Sequence, residues 1–164
     1  MHVSDAGSQH SDPQWLEAVV DRATRNVAEG GGPFAAMVVH DGAVLAEGVN
    51  RVTRDLDPTA HAEVVAIRGA CRAIGNHVLA GAVMVASCEP CPLCLAASLW
   101  ARVDRVIYAA DRNDAARAGF DDATFYDLFD RPRGRWDVPV VQVRLESARQ
   151  PFEAWLANPD RIAY

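Results

Sequence analysis

The sequence contains no lysine. Its 16 cationic residues are all arginine and face 22 acidic ones, so the formal charge is −6. The absence of lysine carries no direct functional reading. There is no Lys/Arg cluster either, which argues against strong non-specific nucleic-acid binding and leaves open only a local basic groove. No stretch approaches ~18 uncharged apolar residues, so no membrane-spanning helix is expected. Residues 1–12 lack a basic segment followed by an apolar one; they are read as a disordered tail, not a signal peptide. Without an export signal the expected setting is the reducing cytoplasm. Four cysteines there point to metal binding or redox chemistry before structural disulfides. Internal repeats and low-complexity tracts are also missing.

What remains is an ordinary globular composition: 164 residues, 50% hydrophobic and 23% charged. That length supports one domain with a sizeable core, expected over 13–164. Ser11 or Asp12 can cap a helix that Pro13 starts. Trp15, Leu16, Val19, Val20, Ala23 and Val27 then repeat at helical spacing, until Gly30-Gly31-Gly32-Pro33 ends the helix in a turn. Two apolar runs, Phe34 to His40 and Val44 to Asn50, flank Asp41-Gly42 and predict a β-hairpin. Arg51 to Thr59 reads as a loop, and a helix runs from His61 to a stop at Gly75-Asn76. Ala82 to Ser87 predicts a strand, Pro90 to Arg102 a helix and Arg105 to Ala109 a strand. Asp111 to Asp122 reads as a polar loop, Thr124 to Phe129 as one or two helical turns. Val138 to Val143 is expected as a final strand, and Pro151 to Ala157 as a short helix. Together these elements predict an α/β fold: a three-layer α/β/α sandwich around a mixed five-stranded sheet with crossover helices.

Chemistry concentrates in two segments, Ala60-His61-Ala62-Glu63 and Glu89-Pro90-Cys91-Pro92-Leu93-Cys94. They supply an imidazole, two thiols at i and i+3, and a carboxylate two residues after the imidazole. Three protein ligands suit a catalytic zinc, whose fourth position is left to water, whereas a structural zinc takes four. An open position makes such a metal a source of hydroxide near neutral pH. Glu63 is then placed to move protons, not to ligate. Cys91 and Cys94 fall in a helix's first turn, where the partial positive charge favours thiolates. A structural zinc with Cys88 as fourth ligand is the plainer alternative, but it leaves Glu63 without a role.

The pattern H-x-E…P-C-x-x-C is the signature of zinc deaminases. His61-Ala62-Glu63 and Pro90-Cys91-Pro92-Leu93-Cys94 match it residue for residue. The chain therefore resembles the cytidine-deaminase superfamily. Gly32-Pro33-Phe34, Asp57 to Glu63, Ser87 to Pro92, Ala116 to Asp122 and the terminal Tyr164 make it similar to the bacterial guanine deaminases within that superfamily.

The resemblance implies a zinc-dependent hydrolase that converts guanine to xanthine and ammonia, with one zinc per chain on His61, Cys91 and Cys94 and with Glu63 as acid/base. It also implies that Asn50, Ala62 and Asp122 contact the base, Phe34 and Trp100 wall it, and Tyr164 closes the site. For Asp122 the plainer reading is a helix cap, and for Trp100 a core side chain. The family's tail caps the active site of a partner subunit, so a homodimer is expected, with 151–164 as a capping tail that the two subunits can exchange. Neither a nucleic-acid nor a membrane partner is expected. Ala35 and Ala86 depart from the family pattern. A methyl at 35 would narrow the pocket, which motivates the alternative of smaller substrates: cytosine, 5-azacytosine or s-triazines such as ammeline. A third reading, deamination of tRNA or single-stranded DNA, needs a basic, aromatic-lined channel.

Overall fold

A computed structural model describes residues 11–163 of the chain. The tail expected over 1–12 and the terminal Tyr164 lie outside those residues, except that Ser11 and Asp12 are seen to open the first helix. The chain divides between residues 126 and 127 into two compact units.

In the first unit, helix α1 spans Asp12–Ala28, with Ser11 as N-cap in a capping box with Gln14. Strands β1 (Ala35–His40) and β2 (Ala43–Val49) follow. The hairpin between them turns on Asp41 and Gly42, both at positive φ (50° and 74°), as a two-residue turn requires. A single helical turn, α2 (Val52–Asp55), interrupts the expected loop. Then come α3 (Ala62–Ile74), β3 (Ala82–Cys88), α4 (Pro92–Trp100) and β4 (Arg105–Ala110). The stretch expected as a loop carries α5 (Arg112–Arg117), because Asp111 accepts the backbone N–H groups of Asn113 and Asp114 and caps it. Helix α6 begins at Asp122 and ends at Phe129.

The sheet has the order β2-β1-β3-β4. β1 is antiparallel to both β2 and β3, and β4 is parallel to β3 across the α4 crossover. The alternation of side chains along β1 sorts two cores. Ala36 and Val38 pack with Ala62, Ala66, Ala70 and Met84 beneath α3, while Ala35, Met37 and Val39 pack with Val19, Ala23 and Val85 beneath α1. The sandwich therefore has helices on both faces, as expected. Helix α3 lies unusually close to β2. A Cβ on Gly48 would fall 2.1 Å from the Ala62 carbonyl oxygen, so only glycine lets the start of α3 sit there.

The expected fifth strand is absent: the sheet has four strands, and Val138 to Val143 forms no strand among the described residues. An apolar run becomes a strand only when its backbone finds an edge to pair with, and Pro139 removes one of its donors. Its valines 138, 140, 141 and 143 are instead exposed. The second unit otherwise holds 3-10 turns at Arg133–Arg135 and Glu146–Arg149, and helix α7 at Gln150–Ala157. Phe129 packs edge-on against Trp136 at 5.1 Å, and the Trp136 indole donates to the Arg131 carbonyl.

Candidate active and metal site

β2 and β3 run in the same direction, and each leads at its carboxyl end toward a helix start. His61 is the N-cap of α3 and Cys91 the N-cap of α4; Cys94 lies three residues on. Two helix starts at the carboxyl ends of the strands that flank β1 thus bring the three ligating side chains together, in the crevice where open α/β sheets bind ligands. Cys91 Sγ lies 3.5 Å from His61 Nδ1, Cys94 Sγ lies 3.4 Å from the same nitrogen, and the two sulfurs are 3.6 Å apart. A tetrahedral zinc with its usual bond lengths needs ligand–ligand edges of about 3.5 Å for N–S and about 3.8 Å for S–S. The triangle fits that ion, and the donor set of one imidazole and two thiols suits it chemically.

Among the described residues only His61, Cys91 and Cys94 form such a cluster. Cys88 is not part of it. Its sulfur donates to the Asp111 carbonyl at 3.6 Å, and burial pushes its thiol up to about 11. The four-ligand structural reading therefore lacks its fourth ligand.

The site is tuned for charge. The Cys91 thiol is pulled down to about 4, first by hydrogen bonding from Cys94, whose own thiol is pushed up by the same contact. The pair thus gives up its first proton easily, which favours the thiolate that a metal binds. His61 is raised, chiefly through its bond with Cys91. Glu63 is 8% exposed, and burial raises its carboxyl above the ordinary range. Burial also raises Asp122.

A cavity of about 440 Å³ opens over this cluster, within the size range of small-molecule sites. Phe34, Asn50, His61, Ala62, Glu63, Cys91 and Asp122 all line it. Ala62 sends its methyl into the core with Ala36 and Ala66, so the group it can offer is its backbone N–H, free of an intrahelical acceptor at the first helical position.

Two expected features behave otherwise. Trp100 does not line the cavity and is 61% exposed, with the Arg102 guanidinium 5.6 Å from its ring. It ends the nine-residue helix that Cys91 caps, about 13 Å further along the axis. Ala35 and Ala86 are each 1% exposed and do not line the cavity: Ala35 belongs to the core beneath α1.

Phe120 takes a place that the sequence reading gave to no residue. It lines the cavity, and its ring meets Phe34 edge-on with centroids 4.7 Å apart. The signal available was a lone aromatic among small and acidic residues, following Gly119 at φ 91°. Glu89 also lines the cavity, but its carboxylate is engaged by the Arg112 guanidinium and backbone. Arg112 stacks over Tyr126, 3.5 Å from the ring centroid, and the Tyr126 hydroxyl donates to the Pro90 carbonyl at 2.7 Å. These contacts tie the cysteine loop to the segment bearing Asp122.

Residues 9–110 match the family described as the cytidine and deoxycytidylate deaminase zinc-binding region. The chain is 49% identical over 142 residues to guanine deaminase of Bacillus subtilis (strain 168), covering 86% of this chain and 91% of that one. The crystal structure of guanine deaminase from Bacillus subtilis superposes with a TM-score of 0.91 at 46% identity, covering 94% of this chain and 99% of that chain. A tRNA-specific adenosine deaminase of Aquifex aeolicus (strain VF5) is 31% identical over 143 residues, covering 85% of this chain and 92% of the other.

Proposed function

This chain belongs to the cytidine and deoxycytidylate deaminase family, and from that premise we propose that it hydrolyses free guanine to xanthine and ammonia. It is a hydrolase of C–N bonds in cyclic amidines. The observation that carries the reading is the buried Glu63 carboxyl beside the His61–Cys91–Cys94 triangle, at the floor of a cavity with paired aromatic rings. The near full-length similarity to a guanine deaminase supports the choice of base.

His61, Cys91 and Cys94 would hold one zinc per chain, which when bound supplies a nucleophile by lowering the pKa of water toward neutrality. Glu63 takes a proton from the water that adds at guanine C2 and delivers it to the adjacent ring nitrogen. It then passes a second proton to the amino group as the C2–N bond breaks, so that guanine and water leave as xanthine and ammonia. A carboxyl whose proton affinity is raised by burial suits this shuttle. Asn50 Oδ1 accepts from the Val52 N–H at 3.3 Å, which leaves its amide nitrogen to donate to the base. Asp122 accepts from base N–H groups, and Phe34 with Phe120 walls the ring.

We read 13–164 as one functional domain that works as a cytoplasmic homodimer, with 151–164 capping a partner subunit's cavity by exchange of tails. What supports this is the run of exposed apolar side chains in the second unit, including Val141, Val143, Phe152 and Leu156, of the kind that a partner surface can cover. Removing the last residues through Tyr164 is expected to impair turnover with zinc retained; full activity would refute the cap.

The test is ammonia release by zinc-loaded protein from guanine, beside cytosine, 5-azacytosine, ammeline and a tRNA anticodon stem. Release from guanine is expected. Release from another arm alone would reassign the substrate, and none above blank from any arm would defeat the proposal.

A further inference from the structure

We propose that Asn26, on α1, is a positioning residue for base recognition: its side-chain amide locks Asn50 and the Gly30-Gly31-Gly32 turn into the wall of the cavity. The inference rests on the reading of Asn50 as a base contact.

Asn26 is 0% exposed, an unusual place for an amide on a helix whose other buried residues are Val19 and Ala23. Its Nδ2 donates to the Gly32 carbonyl at 2.8 Å and to the Asn50 carbonyl at 3.1 Å. Its backbone carbonyl accepts the Gly31 N–H at 2.8 Å, while Gly30 donates to Val27. That pair of bonds, with Gly30 at φ 83°, forms the αL ending of the helix. One residue therefore grips the glycine turn from its backbone and its side chain, and holds β2's exit through the same amide nitrogen. The grip extends to Phe34, whose N–H also donates to the Gly32 carbonyl and whose carbonyl accepts the Asn50 N–H.

The glycines are shaped around these two asparagines. A Cβ on Gly31 would lie 2.3 Å from Asn26 Nδ2, and one on Gly32 would lie 3.0 Å from Asn50 Oδ1. The turn that reads in the sequence as a mere helix stop is thus fitted to Asn26 on one side and to Asn50 on the other. Gly30, Gly31, Gly32, Phe34 and Asn50 all line the cavity, whereas Asn26 does not.

The remaining atom of the amide argues that packing alone does not explain it. Asn26 Oδ1 is buried with no hydrogen-bond partner. Flipping the amide would turn that oxygen toward two carbonyls, so the orientation is fixed. A leucine of similar size would fill the space without an orphaned acceptor. The amide instead serves the two donations that hold the wall, and a shift of about 1 Å in such a wall can cost about a hundredfold in rate.

The test is a double-mutant cycle on the zinc-loaded enzyme with guanine, comparing the parent, Asn26→Leu, Asn50→Ala and the double variant. Asn26→Leu is expected to fold and keep its zinc with a lowered melting temperature, to lower kcat/KM by about tenfold or more, mainly through KM, and to have less than about a threefold effect in the Asn50→Ala background. Equal losses in both backgrounds, or an unchanged kcat/KM, would overturn the inference. If Asn50→Ala itself matches the parent, the reading of Asn50 fails along with it; a large Asn50→Ala loss with additive effects defeats only the role of Asn26. Should Asn26→Leu not fold, Asn26→Ser and Asn26→Asp enter the same cycle. Failure of all three to give folded, zinc-loaded protein would assign Asn26 to the fold and overturn the proposal.

Discussion

His61, Cys91 and Cys94 stand within the first turns of two helices, while Phe34, Asn50 and the Phe120–Asp122 pair come from three separate connections around the same cavity. The first group is set by local geometry: an N-cap, and a second N-cap followed by a side chain one turn later. Such a cluster keeps its shape whenever the two helices form. The second group depends on turns that are themselves held by other residues: Asn26 for Asn50, and Tyr126 with Arg112 for the segment bearing Asp122. Chemistry and choice of base are therefore separable, and substitutions should separate them.

The largest effect is expected from Cys94→Ser, which removes a soft ligand from a triangle that has only three. Zinc content and turnover should both fall to background. Because metal binding couples to folding, the melting temperature should fall also. Retained stoichiometric zinc, measured by atomic absorption, would mean that another residue completes the site. Next comes Glu63→Gln, which changes the proposed proton carrier and none of the clustered ligands. Turnover should drop by about 10³-fold with zinc content and melting temperature intact. Turnover within tenfold of the parent would remove Glu63 from the acid/base role and blur the division between ligand and shuttle.

Asp122→Asn tests the recognition side. Kept zinc, with kcat/KM for guanine lowered about 10- to 100-fold, is expected for loss of a charged acceptor of base N–H groups. If Asp122 serves only as the first residue of α6, after Asp121 at the cap position, asparagine will hold that place and kinetics will not change.

The same local-versus-distant difference decides what could be read from sequence. The helices α3 and α4, the Asp41-Gly42 hairpin and the H-x-E…P-C-x-x-C pattern are written in neighbouring residues, and they stand where expected. Val138 to Val143 looked like a strand because it is apolar and rich in valine. Strand formation, however, needs a paired edge, and no local pattern reports one. Trp100 was expected at the site from the resemblance alone, yet the helix length carries it away from Cys91 within its own chain. The cap at Asp111 was legible in principle, since Asp111 and Asp114 stand at capping-box spacing. Asn26 and Phe120 were not: each acts on residues about 24 or 86 positions away, through a turn whose geometry no periodicity encodes.

The smallest effect, and the finest test, belongs to Phe120→Leu. The edge-on contact with Phe34 is worth about 0.5–1.5 kcal/mol beyond the area it buries. Losing it loosens the wall that meets the base, and KM for guanine should rise about two- to tenfold. A leucine still excludes water from the cavity but offers no ring edge to Phe34 and a less rigid surface to the base. Zinc content and kcat should hold, because Phe120 is not among the clustered ligands and has no part in the proton shuttle proposed for Glu63. A fall in kcat at constant KM would place Phe120 with the reacting groups, and the separation between chemistry and recognition would then have to be redrawn to include the wall.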